Sequence, residues 1–212
     1  SNKADTGGAI YSEGEKTYIS DSKFRYNDAY EGGAIYSKCR NLTVTNSEFT
    51  NNTAKYGGSI YNDMGSVSIT NNIFTRNAAK NNGGAIYNIG YVEISDSEFT
   101  NNAAERYGGA IFNENTVMTI NRCNFTNNTA KEFGGAIENR YYMEISHSIL
   151  ENNHAEDGGG AIDSEMGEAI IQYSQFTNNL ADYDGGAIYA SNGKTTIENT
   201  NFTNNTADSE GG

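Results

Sequence analysis

Proline is absent from the 212 residues, cysteine occurs twice, and positive charge is scarce. The lack of proline suits a backbone whose N–H groups all enter ladders, since each proline would remove a donor. Cys39 and Cys123 fall in different columns of the repeat described below, about three coils or roughly 14 Å apart, beyond disulfide reach. Neither belongs to a metal-ligand or redox spacing, and Cys123 stands where other units carry serine (Ser97, Ser148), so it reads as packing. Fourteen Lys and Arg face 27 Asp and Glu, for a net charge of −13. That balance argues against nucleic acid and anionic lipid, whose binding starts from basic patches, and suits a solvated, acidic surface protein. No apolar run approaches the roughly 20 residues of a spanning helix, so direct membrane insertion is not expected.

What the chain does have is repetition. Gly-Gly pairs begin at Gly7, Gly32, Gly57, Gly83, Gly108, Gly134, Gly159, Gly185 and Gly211, at steps of 25 or 26 residues. Periods in this range belong to solenoids, propellers and arrays. Three apolar columns run through the units. They are Ile10 to Ile188 after the glycines, Ile19 to Ile197 at mid-unit (Val44 once), and Phe24 to Phe202, where Leu150 is the exception. Asn27, Asn52, Asn77, Asn102, Asn128, Asn153, Asn179 and Asn205 follow three residues after the last of these, and an alanine lies two further on.

Each unit holds three short runs of period-two alternation separated by Gly, Asn, Asp and Ser, the pattern of brief strands joined by turns. No segment has a helical apolar period. One unit carries too few large apolar side chains to fold alone, and stacking identical units buries them in one column. The expectation is an all-β fold, a single-stranded right-handed parallel β-helix of about eight three-strand coils. Its handedness rests on the general preference of parallel crossovers. Eight coils would give a rod about 38 Å long. The Asn column should form a ladder of side-chain amides along the axis, and glycine at each corner meets the need for left-handed or crowded backbone.

GGAI stands unaltered in seven of eight units, with GGSI at Gly57–Ile60, and F-x-x-N in seven of eight, Leu150–Asn153 departing. This pair resembles the repeat of the chlamydial polymorphic outer-membrane proteins, and similar repeats occur in adhesin-like surface proteins of methanogenic archaea. The resemblance spans essentially the whole chain. It implies a right-handed β-helix exported to the extracellular face of a cell and used there in adhesion or as a stalk.

The repeat makes residues 1–212 one domain. The chain begins and ends within a unit, so both ends of the β-helix are expected to be uncapped. Open strand edges pair readily, which leads to two expectations. The chain belongs to a longer array and stacks on neighbouring repeats of its parent, or it stacks end to end with copies of itself in a fibre.

Ile of the Ile-Tyr strand points inward, so its successor points out. That column reads Tyr11, Tyr36, Tyr61, Tyr87, Phe112, Glu138, Asp163 and Tyr189. Its aromatic members form the candidate binding face, an exposed stripe for a glycan or a host protein. Against this stands mere same-face stacking between neighbouring strands. Glu138 and Asp163, about 4.8 Å apart on adjacent coils, suit acid/base chemistry or a cation, yet lack supporting groups. The acidic corner of the last coils offers Asp157, Asp182, Asp184 and Asp208 as calcium candidates, without the D-x-D-x-D-G loop such a site would use. A threonine row (Thr50, Thr75, Thr100, Thr126) fits strand propensity. Sequons place candidate glycosylation at Asn41, Asn51, Asn124, Asn127, Asn201 and Asn204. No cofactor is expected. The function expected is non-catalytic, a rigid rod at the cell surface that serves structure and adhesion. An end-to-end fibre and a polysaccharide-degrading enzyme are the alternatives.

Overall fold

The computed structural model describes residues 1–211, which form 31 short strands in four parallel sheets of eight, eight, seven and eight strands. Strand order in every sheet follows the coil number, so each coil hydrogen-bonds only to the coils before and after it. The fourth coil is representative. Its strands are Ile86–Asn88, Tyr91–Ser95, Glu98–Thr100 and Ala103–Ala104. Three of these are the expected runs. The fourth, of two residues, adds a sheet running from Thr53–Ala54 to Thr206–Ala207.

Register is equivalent-on-equivalent throughout: Ile60 pairs with Ile86, Phe74 with Phe99, Ile94 with Ile120. A one-residue slip would turn every inward side chain out, so the three apolar columns lock the stacking. They fill the interior with Ile, Val, Leu, Met and Phe at near-zero exposure. Within it Phe24, Phe49, Phe74, Phe99 and Phe125 stack at 4.7–4.8 Å between ring centroids, and the stack breaks at Leu150.

The corners are built from backbone that L-residues adopt reluctantly. One corner runs through Asp21, Asn46, Asn71, Asp96, Arg122, His147, Tyr173 and Asn199, the next through Tyr26, Asn51, Arg76, Asn101, Asn127, Asn152, Asn178 and Asn204, all at positive φ. Asn tolerates this region better than most residues, which explains much of the asparagine content. The two glycines of each pair do different work. Gly83 has φ +68°, while Gly84 lies so close to the next coil that a Cβ would sit 2.0 Å from the Gly109 carbonyl oxygen.

The expected amide ladder is present. Asn77 Nδ2 donates to Asn102 Oδ1 and Asn102 Nδ2 to Asn128 Oδ1, both at 3.0 Å. Each amide is saturated: Asn102 Oδ1 also accepts the Asn77 backbone N–H, and Asn102 Nδ2 also donates to the Phe74 carbonyl. A second ladder joins Asn62, Asn88, Asn113, Asn139 and Ser164 at 2.8–3.2 Å. At a third corner, serine hydroxyls accept the backbone N–H of the preceding coil, as Ser97 Oγ does from Asn72 and Ser148 Oγ from Cys123. Cys39 and Cys123 are buried and unpaired, and burial pushes the Cys123 thiol up to about 12.

Candidate functional site, a covered aromatic and acidic column

The residue after each inward Ile does face away from the main core, but the aromatic stripe is not exposed. Tyr36, Tyr61, Tyr87 and Phe112 are 5, 9, 7 and 0 % exposed and form a second apolar cluster of their own. The reason lies in the corner just before each Gly-Gly. Tyr56 and Tyr107 fold back from that corner over the column and, with Ile89, cover it. Tyr56 meets Tyr87 edge-on at 5.4 Å, and Tyr107 meets Phe112 at 6.1 Å. The column itself stacks nearly parallel, with centroids 5.4 Å apart for Tyr11–Tyr36, 5.2 Å for Tyr36–Tyr61 and 4.8 Å for Tyr61–Tyr87. Of the six proposed binding aromatics only Tyr11 is open to solvent, and Tyr189 is half-buried. The signal for this cover was in the sequence, an aromatic immediately before Gly57, Gly108 and Gly134.

The covered phenols are anchored by acids one coil on. The Tyr36 hydroxyl donates to Asp63 Oδ2 at 2.9 Å, and the Tyr87 hydroxyl donates to Glu114. Burial, with the Asp63 carboxylate beside it, pushes the Tyr36 phenol up to about 12. Burial likewise raises Tyr61 and Tyr87.

Where the column turns acidic it stays enclosed. Glu138 and Asp163 are direct ladder partners, each 1 % exposed. Arg140 Nε donates to Glu138 Oε1 at 2.9 Å, and its guanidinium lies over the rings of Tyr107 (4.6 Å) and Phe112 (5.0 Å). Glu138 Oε2 and Asp163 Oδ1 have no hydrogen-bond donor. Burial raises both carboxyls above the usual range; Arg140 offsets part of this for Glu138, and the Glu138 charge adds to it for Asp163. Two buried carboxyls against one guanidinium satisfy their orphan oxygens by holding a proton. They do not face a substrate cleft.

Past this pair the cover opens. Phe133, from the corner before the sixth coil, reaches the Tyr189 ring at 6.2 Å, and with Asp157, Tyr183 and Asp184 these two line an open pocket of about 250 Å³. The calcium candidates do not converge on one point. Asp182 is hydrogen-bonded to His154 Nε2 at 2.8 Å, Asp208 is exposed, and among the described residues no three His, Cys, Asp or Glu come together as metal ligands. The six sequon asparagines all lie at the surface, Asn41 and Asn51 half-buried and the others exposed.

The family model of the right handed beta helix region matches residues 6–167. The chain belongs to that family. The β-helix continues beyond the match without a change of register, and residues 173–191 match the Chlamydia polymorphic membrane protein repeat. That segment, from Tyr173 to Ser191, contains both F-x-x-N and GGAI. Comparisons with curated proteins and with solved structures give no match.

Proposed function

We propose that this β-helix is a non-catalytic rod of a cell-surface protein, which holds contacts away from the envelope and takes part in adhesion through its lateral surface. The observation that carries this reading is the Chlamydia polymorphic membrane protein repeat at residues 173–191, in register with coils of the same design over the rest of the chain. The acidic surface and the repetitive interior support it. The enclosure of Glu138 and Asp163 weighs against the enzyme alternative, because a polymer cannot reach carboxylates that are 1 % exposed.

Immunolabelling of intact cells of the source, read by electron microscopy, tests the reading. Label on rods projecting from the envelope is the expected result, and label confined to the cell interior would overturn it. Turnover of any member of a broad polysaccharide panel, abolished by Glu138→Gln or Asp163→Asn, would replace the rod by an enzyme. Continuous fibres of stacked copies would move the contact surface to the ends of the rod.

A further inference from the structure

At the two corners that flank the Ile-Tyr strand, cations lie against aromatic rings, and three of the four also bond a carboxylate. In the second coil Lys38 lies 5.6 Å from the Tyr36 ring centroid and 3.3 Å from Asp63, which also accepts the Tyr36 hydroxyl. On the next stretch Lys55 lies over the rings of Tyr30 and Tyr56 at 4.8 and 5.2 Å. Arg106 lies 4.6 Å over Tyr107 and is bonded to Glu132 at 2.8 Å, and Arg140 covers Tyr107 and Phe112 while bonded to Glu138. The faces of these rings attract cations through their quadrupole, and the neighbouring carboxylate adds a directional acceptor.

From Phe133 onward the corner before the Gly-Gly pairs supplies rings and carboxylates but no cation. Phe133, Tyr183 and Tyr189 stand with Asp157 and Asp184 around the open pocket of about 250 Å³. Among the described residues neither aspartate has a Lys, Arg or His partner, and Asp184 Oδ1 accepts only the Glu210 backbone N–H, at 3.2 Å. The Phe133 ring reaches Tyr189 two coils on, and no residue lining the pocket supplies a positive charge.

We propose that the Phe133–Asp157–Tyr183–Asp184–Tyr189 pocket receives a lysine or arginine side chain from the surface of a partner protein. The inserted cation would sit on the rings and bond the aspartates, as Arg106 lies on Tyr107 and bonds Glu132 and Lys38 lies near Tyr36 and bonds Asp63 within the chain. This deepens the adhesion reading and rests on it only for the partner being extracellular; the pocket chemistry stands by itself. The net charge of −13 steers such a partner towards the rod without specifying the pocket.

The test is a titration of the full chain, followed by NMR of the tyrosine and phenylalanine rings. The probes are a blocked pentapeptide with one central lysine, its arginine and norleucine counterparts, and n-butylammonium. The lysine and arginine peptides should saturate one site and shift Tyr183 and Tyr189, with the norleucine peptide at least roughly tenfold weaker. The variant Asp157→Asn/Asp184→Asn should weaken the basic peptides about tenfold or more while leaving the β-sheet circular dichroism unchanged. Tyr183→Ala, at an exposed position, is a second variant that does not depend on repacking. Equal affinity for the norleucine peptide would reduce the pocket to an apolar contact and overturn the proposal. Butylammonium binding as tightly as the peptides would make the ligand a free amine and overturn the partner. Shifts spread over all acidic edges, insensitive to both variants, would reduce the binding to diffuse attraction. Failure of this titration leaves the surface-rod reading standing, and intracellular labelling leaves the pocket standing.

Discussion

At Glu138 and Asp163 the polarity of the repeat changes without a change of shape. Tyrosine or phenylalanine fills the same covered position in the preceding coils, so these two carboxyls sit in a site built for rings. Their raised affinity for protons has a definite consequence for stability. The unfolded chain releases these protons near about pH 4, whereas the folded chain keeps them to higher pH. The associated stabilisation is complete below the unfolded value and is lost as pH rises through the raised folded values. Melting temperature should therefore fall as pH is raised from about 4 towards 9, and Asp163→Asn should flatten that decline. Parallel profiles for wild type and variant would show that the pair carries no excess proton. A smaller effect belongs to Cys123. Serine hydroxyls at its corner accept an N–H from the preceding coil, and at Cys123 a weakly accepting sulfur takes their place beside the Ser97 N–H, while the thiol points to the Asn121 carbonyl at 3.4 Å and to that of Ile94 at 3.8 Å. Cys123→Ser supplies a stronger acceptor and should raise stability by about 0.5–1.5 kcal/mol in urea unfolding.

Single elements were unequally legible in the sequence. The core columns, the long amide ladder and the glycine corners each recur every 25 or 26 residues, so eight copies corrected the ambiguity of any one. The two-residue strand such as Ala103–Ala104 was marked only by its recurring alanine and not as a strand, because two residues cannot display an alternation. The aromatic column was read correctly in direction and wrongly in exposure. Alternation along a strand fixes which face a side chain takes, but not what another part of the coil lays over it. Here Tyr56 and Tyr107 come from the preceding corner, and only tertiary folding brings them onto Tyr87 and Phe112. The corner columns offer a test at this scale. Most non-glycine positions at positive φ are Asn or Asp, but Arg76 adopts φ 53° with no ion pair among the described residues to hold it there. Arg76→Asn should stabilise the rod by about 1 kcal/mol, since Asn relieves part of the left-handed penalty. An unchanged urea midpoint would mean the corner is held by its ladder bonds regardless of residue.

Across the whole molecule, stability is a sum over coils and the interfaces between neighbours, because the sheets join each coil to the next in order. Every sheet runs strictly in coil order, so one damaged interface should separate the rod into two units. Asn102 is the sharpest place to cut. Its side chain accepts from the Asn77 backbone and amide and donates to the Phe74 carbonyl and to Asn128 Oδ1, all at 3.0 Å in a dry interior. Alanine there leaves two donors of Asn77 without an acceptor and takes one donor each from the Phe74 carbonyl and from Asn128 Oδ1, which keeps the Asn102 backbone N–H. At about 1–3 kcal/mol for each buried orphan, even partial relaxation leaves a loss of several kcal/mol. That loss falls on the coils on either side and not on the ends. Wild-type protein should unfold in one cooperative transition, whereas Asn102→Ala should unfold in two. Amide exchange should then accelerate first at Phe74–Phe99 and last in the coils around Ile145 and Ile171. A single transition, merely shifted to lower denaturant, would mean that coupling between coils exceeds the damage and that the rod behaves as one unit. The two outcomes also differ mechanically: a divisible rod yields coil by coil under tension, and a coupled one holds until it fails as a whole.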